Sequence, residues 1–207
     1  MNLQSAKERL LEIVNLSYKI FQAKVVNGTI GDFENEASMQ LQLGVIMNEV
    51  GLLYEWAIDD EFTIRFEKKF NLPSATSKTP NGHARCDIYV GFKTRKDEYH
   101  IGIELKYLPK SKDEATTDNR LAILEDIQNL EHYQQIGYID TGFEIVYTTN
   151  HNYANSDTIS CINIGDKAKV KEGKSSYKKV ELAKEYTFLW DDYPIGEERH
   201  CFLKVKI

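Results

Sequence analysis

The stretch "HIGIELKYLPK", residues 100–110, decides how this chain is read. Ile101, Ile103, Leu105 and Tyr107 alternate with Gly102, Glu104 and Lys106, the period of a β-strand with one apolar face. The other face sets a carboxylate and an ammonium two residues apart. A strand that reads as buried gains nothing from such charges unless something compensates them, so their purpose is the question on which function turns.

Working outward, "ARCDIYVGF" at residues 84–92 is a second strand, joined to the first by the polar segment "KTRKDE", and the pair predicts an antiparallel hairpin. Ala84, Cys86, Ile88 and Val90 are expected on one face, with Arg85, Asp87 and Tyr89 on the other. A turn centred between Arg95 and Lys96 places Asp87 directly opposite Glu104. Like charges so opposed are unfavourable, and a divalent cation with oxygen ligands relieves the repulsion. Lys106 adds an ammonium on the same face. Two carboxylates, a metal and an ammonium suit attack on a phosphodiester: the metal polarises a phosphoryl oxygen and activates water, and the lysine orients that water or stabilises developing charge. A Glu-x-Lys triplet by itself is common on solvated strands, so its surroundings carry the weight.

Those surroundings are α/β. Apolar residues at helical spacing predict one helix over residues from about 5 to 25 and another from about 33 to 49, stopping at Gly51. "EFTIRFEKKF" alternates as a strand and precedes a Pro- and Ser-containing loop. After the hairpin, "DNRLAILEDIQNLEHYQQIG" predicts a helix capped at Asp118 or Asn119 and stopped by Gly137. "GFEIVYTTN" reads as an inner strand. "TISCINI", "YTFLW" and "CFLKVKI" read as short strands, separated by the lysine-rich "KAKVKEGKSSYKK".

With 207 residues, 42% of them hydrophobic and 28% charged, the chain is expected to form one domain, 1–207, around a single substantial core. Within it, residues 1–30 are a helical element, 31–150 the catalytic core, and 151–207 the strands that complete the sheet. A net charge of −6 argues against nonspecific coating of nucleic acid but leaves room for a local basic groove. Cys86, Cys161 and Cys201 have neither disulfide nor zinc spacing and read as free thiols in a reducing compartment. No run approaches membrane-spanning length, and the N-terminus lacks a signal-peptide pattern, so the expectation is a cytoplasmic protein. The five histidines have no ligand spacing, and no phosphate loop or nucleophilic serine motif points to an organic cofactor or another enzyme class.

Asp87, sixteen intervening residues, then Glu104-Leu105-Lys106, on adjacent strands between helices, resembles the PD-(D/E)XK nuclease superfamily over residues 33–150. The resemblance implies a restriction-endonuclease-like fold, a mixed central sheet flanked by helices. It implies that Asp87 and Glu104 bind Mg²⁺, with Mn²⁺ as a substitute, that the Leu105 carbonyl completes the coordination, and that Lys106 assists the attacking water. Cys86 stands where the motif has proline. A further acid from an upstream helix is implied, and Glu36 is the candidate, with Gln40 one turn later; an acid in a first helical turn is also favoured by the helix dipole alone. Gln134 and Tyr138 resemble an extra motif of the exonuclease-like branch, although Gly137 interrupts it, and Gln128 and Gln134 are expected to border the cleft. Lys93, Arg95, Lys96, Lys174, Lys178 and Lys179 are candidates for phosphate contacts, against the plainer view that they confer solubility.

The expected function is therefore a metal-dependent endonuclease acting on DNA, in restriction or defence, with a homodimer favoured if two strands are cut. The alternative is a nucleic-acid-binding or interaction module of the same fold that does not cleave.

Overall fold

The computed structural model describes residues 4–31, 33–73, 82–110, 116–154, 161–162, 167–172 and 176–207. Among the described residues three helices and ten strands follow in the order α1 (Ala6–Val26), α2 (Glu36–Leu52), β1 (Glu61–Asn71), β2 (His83–Lys93), β3 (Glu98–Leu108), α3 (Thr116–Gln135), β4 (Thr141–Thr148), β5 (Cys161–Ile162), β6 (Lys167–Glu172), β7 (Ser176–Glu181), β8 (Tyr186–Thr187), β9 (Trp190–Ile195) and β10 (Glu198–Lys206). Six of the strands form one mixed sheet in the order β1-β2-β3-β4-β10-β9, in which only β3 and β4 run parallel. A parallel neighbour requires a crossover, and α3 supplies it. Among the described residues, no helix is long and apolar enough to cross a membrane.

Two cores result. Leu10, Ile13 and Phe21 of α1 and Met39, Leu43 and Met47 of α2 pack on Ile101, Ile103, Leu105, Phe143 and Ile145. On the opposite face, Ile123, Ile127, Leu130 and Tyr133 of α3 pack on Val146, Leu203 and Val205. Local chemistry fixes the helix ends: Ser5 and Glu8 form a reciprocal capping box on α1, and Asn35 and Ser38 form another on α2. Gly137, at φ 77°, takes the left-handed turn that ends the α3 region. Buried Arg9 ties α1 to the turn before β1, donating to Asp60 at 2.6 Å beneath the Trp56 ring.

The hairpin forms in the expected register from Lys93 with Glu98 to Ile88 with Ile103, but the ladder stops there and the expected pairing of Asp87 with Glu104 is not made. Elsewhere two expectations are corrected. Asp118 and Asn119 lie inside α3, which begins at Thr116. The lysine-rich segment is no plain connector: Lys167–Glu172 and Ser176–Glu181 pair as an antiparallel hairpin against α3, the first strand alternating Ala168 and Val170 with Lys167, Lys169 and Lys171. The polar stretch Trp190–Ile195 is also a strand, the outer edge of the sheet; it is mostly exposed and carries Pro194, which suits an edge where one ladder of hydrogen bonds is not needed.

Glycines in α2 let the helix approach β1. A Cβ on Gly51 would overlap the ring of buried Phe62, whereas one on Gly44 would meet the half-exposed Phe66 ring, which can swing away. Gly51→Ala is therefore expected to lower stability by about 1–3 kcal/mol in urea denaturation despite the better helix propensity of alanine, and Gly44→Ala to cost less.

Candidate active site

The site begins where pairing ends. Ile88 and Ile103 are the last partners of β2 and β3, although both strands continue. Beyond that point residues 83–86 of β2 pair with β1, and residues 104–108 of β3 pair with β4. The sheet opens into a notch between them, and Asp87 spans it: the Leu105 N–H donates to Asp87 Oδ2 at 2.7 Å, taking the place of a ladder bond.

The expected face pattern of β2 is broken here. Ile88, Val90 and Phe92 point into the core under α1 and α2, but Cys86 and Ala84 belong to the core under α3. The alternation slips by one residue at Asp87, whose backbone carbonyl leaves the ladder and accepts from Gln40 Nε2 at 2.6 Å. Asp87 thus points along the sheet toward β3 and not out of one face.

On β3 the alternation is regular. Glu104 is fully buried on the α3 side and pairs in register with Glu144 of β4, which is equally buried. Lys106 Nζ lies 2.8 Å from buried Asp126 Oδ2 on α3, 3.4 Å from Glu36 Oε2 at the start of α2, and 3.0 Å from the Leu105 carbonyl oxygen, to which it donates. The ammonium therefore joins helices from opposite faces of the sheet through the notch. Burial alone would push Lys106 down, but Asp126, Glu144 and Glu36 outweigh it and drive its pKa up, so it stays protonated. Burial pushes the Asp87 carboxyl up to about 6, against the pull of the Leu105 N–H and Lys106, while Glu36 and Asp126 add to the rise.

Asp87, Glu104, Lys106, Leu105, Glu36 and Gln40 thus gather in one place. The other candidates do not join them. Gln128 donates to the Glu181 carbonyl and Gln134 to the Asp140 carbonyl, so both serve as braces of α3 and its exit turn. Lys93 ends β2 six residues from Asp87, about 20 Å away at the strand rise, with Arg95 and Lys96 in the turn beyond it. Lys178 and Lys179 lie on β7, and Lys174 falls outside the described residues. Tyr138 donates to the Asn71 carbonyl, away from Gln134.

Asp126 and Glu144 escaped the sequence reading, yet each had a signal. Asp126 falls on the stripe of Ile123, Ile127 and Leu130 that faces the sheet, and Glu144 is the lone acid of a strand buried throughout. An acid inside an otherwise apolar pattern is the rare residue type there.

The donor set is chemically suited to a hard divalent cation: carboxylates and a carbonyl, all oxygen. Among the described residues, no three acids, histidines or cysteines stand ready as a cage. Mg²⁺ needs none, since it keeps several waters and is held by one or two carboxylates. No family model matches the chain, and neither a curated protein nor a solved structure matches it.

The raised Asp87 pKa fixes a pH dependence. Below about pH 4 the carboxyl is protonated folded or unfolded; between about 4 and 6 the unfolded chain loses the proton first, so rising pH destabilises the fold, fully above about 6. Asp87→Asn keeps an acceptor for the Leu105 N–H. It is expected to be more stable than the parent at pH 7.5 by about 1–3 kcal/mol and no more stable at pH 3.5, measured by urea denaturation.

Proposed function

We propose that this protein is a metal-dependent nuclease of restriction-endonuclease-like fold that hydrolyses phosphodiester bonds in DNA. The observation that carries the reading is the notch itself, where Asp87, the Glu104-Leu105-Lys106 triplet and Glu36 converge from three elements at the point where β2 and β3 part. The parallel β3–β4 pair with a helical crossover between antiparallel neighbours is consistent with that fold.

Asp87 and Glu104 would hold Mg²⁺, with the Leu105 carbonyl as a third oxygen, and the ion would supply a polarised phosphoryl oxygen and an acidified water. Lys106 keeps its proton beside Asp126 and Glu36, so its role is that of a fixed positive charge that orients the attacking water and steadies charge on the phosphate, and not that of a general base. Asp126 holds the ammonium in place from below. Gln40 fixes the backbone of Asp87, and so sets the direction of its carboxylate.

A second reading, a nucleic-acid-binding module that does not cut, is favoured by one feature. Lys106 already forms ion pairs with two acids of the cluster, which neutralises part of it without any metal. Calorimetric titration with Mg²⁺ separates the two readings, since the module binds DNA without binding the ion.

The cleavage test uses supercoiled plasmid with Mg²⁺ or Mn²⁺, an EDTA control, and the Lys106→Ala variant, whose folding is checked by circular dichroism. Nicking or linearisation that needs the metal and falls roughly 100-fold or more in the variant is expected. Wild-type protein that leaves plasmid, linear DNA, single strands and RNA intact would sink the nuclease reading.

A further inference from the structure

We propose that Glu67 is a positioning residue that keeps Asp87 turned toward β3, and that it acts through its backbone conformation and not through its carboxylate. Glu67 stands opposite Asp87 in the β1–β2 register, and these two are the residues the ladder skips: Phe66 pairs with Ile88, and Lys68 with Cys86. Among the described residues Glu67 is the one non-glycine with positive φ, at 51°. That region brings the Cβ of an L-residue against the following carbonyl and is avoided unless the surroundings impose it.

Both strands change faces together at this pair. Phe62 and Ile64 of β1 pack with Ile88 and Val90 under α2, whereas Phe70 packs with Cys86 and Ala84 under α3. Each strand therefore spends one residue in crossing from one face to the other. Lys68 shows the same shift, its ammonium lying 5.7 Å from the centre of the Tyr89 ring on the α3 side. Were β1 regular at residue 67, it would pair with residue 87, and alternation would send the Asp87 side chain to one face of the sheet. The left-handed residue removes that partner and frees Asp87 to reach Leu105. Gln40 straddles the kink, its Nε2 lying 2.6 Å from the Asp87 carbonyl and 3.3 Å from Glu67 Oε1. The Glu67 carboxylate is half exposed, and its other contact is Arg85 at 3.8 Å, a weak solvated pair.

Backbone and side chain separate cleanly by substitution. Glu67→Gly and Glu67→Val both delete the carboxylate, but glycine adopts φ 51° freely whereas a β-branched residue is forced out of it. The readout is amide hydrogen exchange at Leu105, whose N–H is held by Asp87 Oδ2; it needs no metal, and Asp87→Ala calibrates complete loss of that bond. Leu105 in Glu67→Gly and Glu67→Gln is expected to exchange at the parental rate. In Glu67→Val it is expected to exchange roughly tenfold faster, approaching Asp87→Ala, while Ile103 in the intact ladder is unchanged. Equal exchange in the glycine and valine variants, whether slow or fast, overturns the proposal. Should the valine variant not fold, fast exchange in Glu67→Gly overturns it as well.

The inference rests on the nuclease reading only for its catalytic consequence, that Glu67→Val cuts plasmid more slowly than Glu67→Gly. If the parent protein cuts nothing, the nuclease reading fails while the Leu105 measurement still decides the role of Glu67.

Discussion

A single hydrogen bond, from the Leu105 N–H to the Asp87 carboxylate, holds the architecture of the site. In a continuous ladder that amide would meet a backbone carbonyl, and β2 and β3 would stay paired to their ends. Using a side chain in place of the carbonyl ends the pairing after Ile88 and Ile103 but still gives the Leu105 N–H an acceptor. The strands can then diverge, each completing its hydrogen bonds with its outer neighbour, and the gap admits groups from α2 above and α3 below.

What fills the gap is electrostatically costly. Lys106, Asp126, Glu104 and Glu144 are all withdrawn from water, and for a buried ion pair the loss of hydration commonly matches or exceeds the attraction. The Lys106–Asp126 pair is thus weak ground for stability, and its effect is to fix a charge in one place. The large apolar cores on both faces of the sheet carry the fold, and they tolerate a charged seam between them. This division of labour resolves the oddity of the triplet: Leu105 anchors the strand in one core while its neighbours Glu104 and Lys106 turn to the other side.

Much of this was legible in the chain. The strand period of residues 101–107 fixed the faces of β3, and the polar turn at residues 93–98 fixed the hairpin register, because pairing and side-chain direction both follow from simple geometry. Helix α1 and the end of α3 were marked by apolar spacing and by Gly137. The slip at Asp87 was not legible, since the residue that creates it is a glutamate with nothing in its type to announce a left-handed backbone. Asp126 and Glu144 were hidden because a periodicity search collects apolar residues and passes over the one acid among them. Strand β9 was hidden by its polarity, which belongs to its exposed edge position.

The two outer strands share a property that bears on how the protein behaves in a crowded solution. A sheet edge offers unpaired amides and carbonyls to any other extended chain, and a long straight edge is a template for aggregation. Here β1 is bent at Glu67, and β9 carries Pro194 beside Asp191 and Asp192. Neither edge presents an unbroken row of hydrogen-bonding groups, so the kink that shapes the interior of the sheet also blunts its rim against stacking with its own kind.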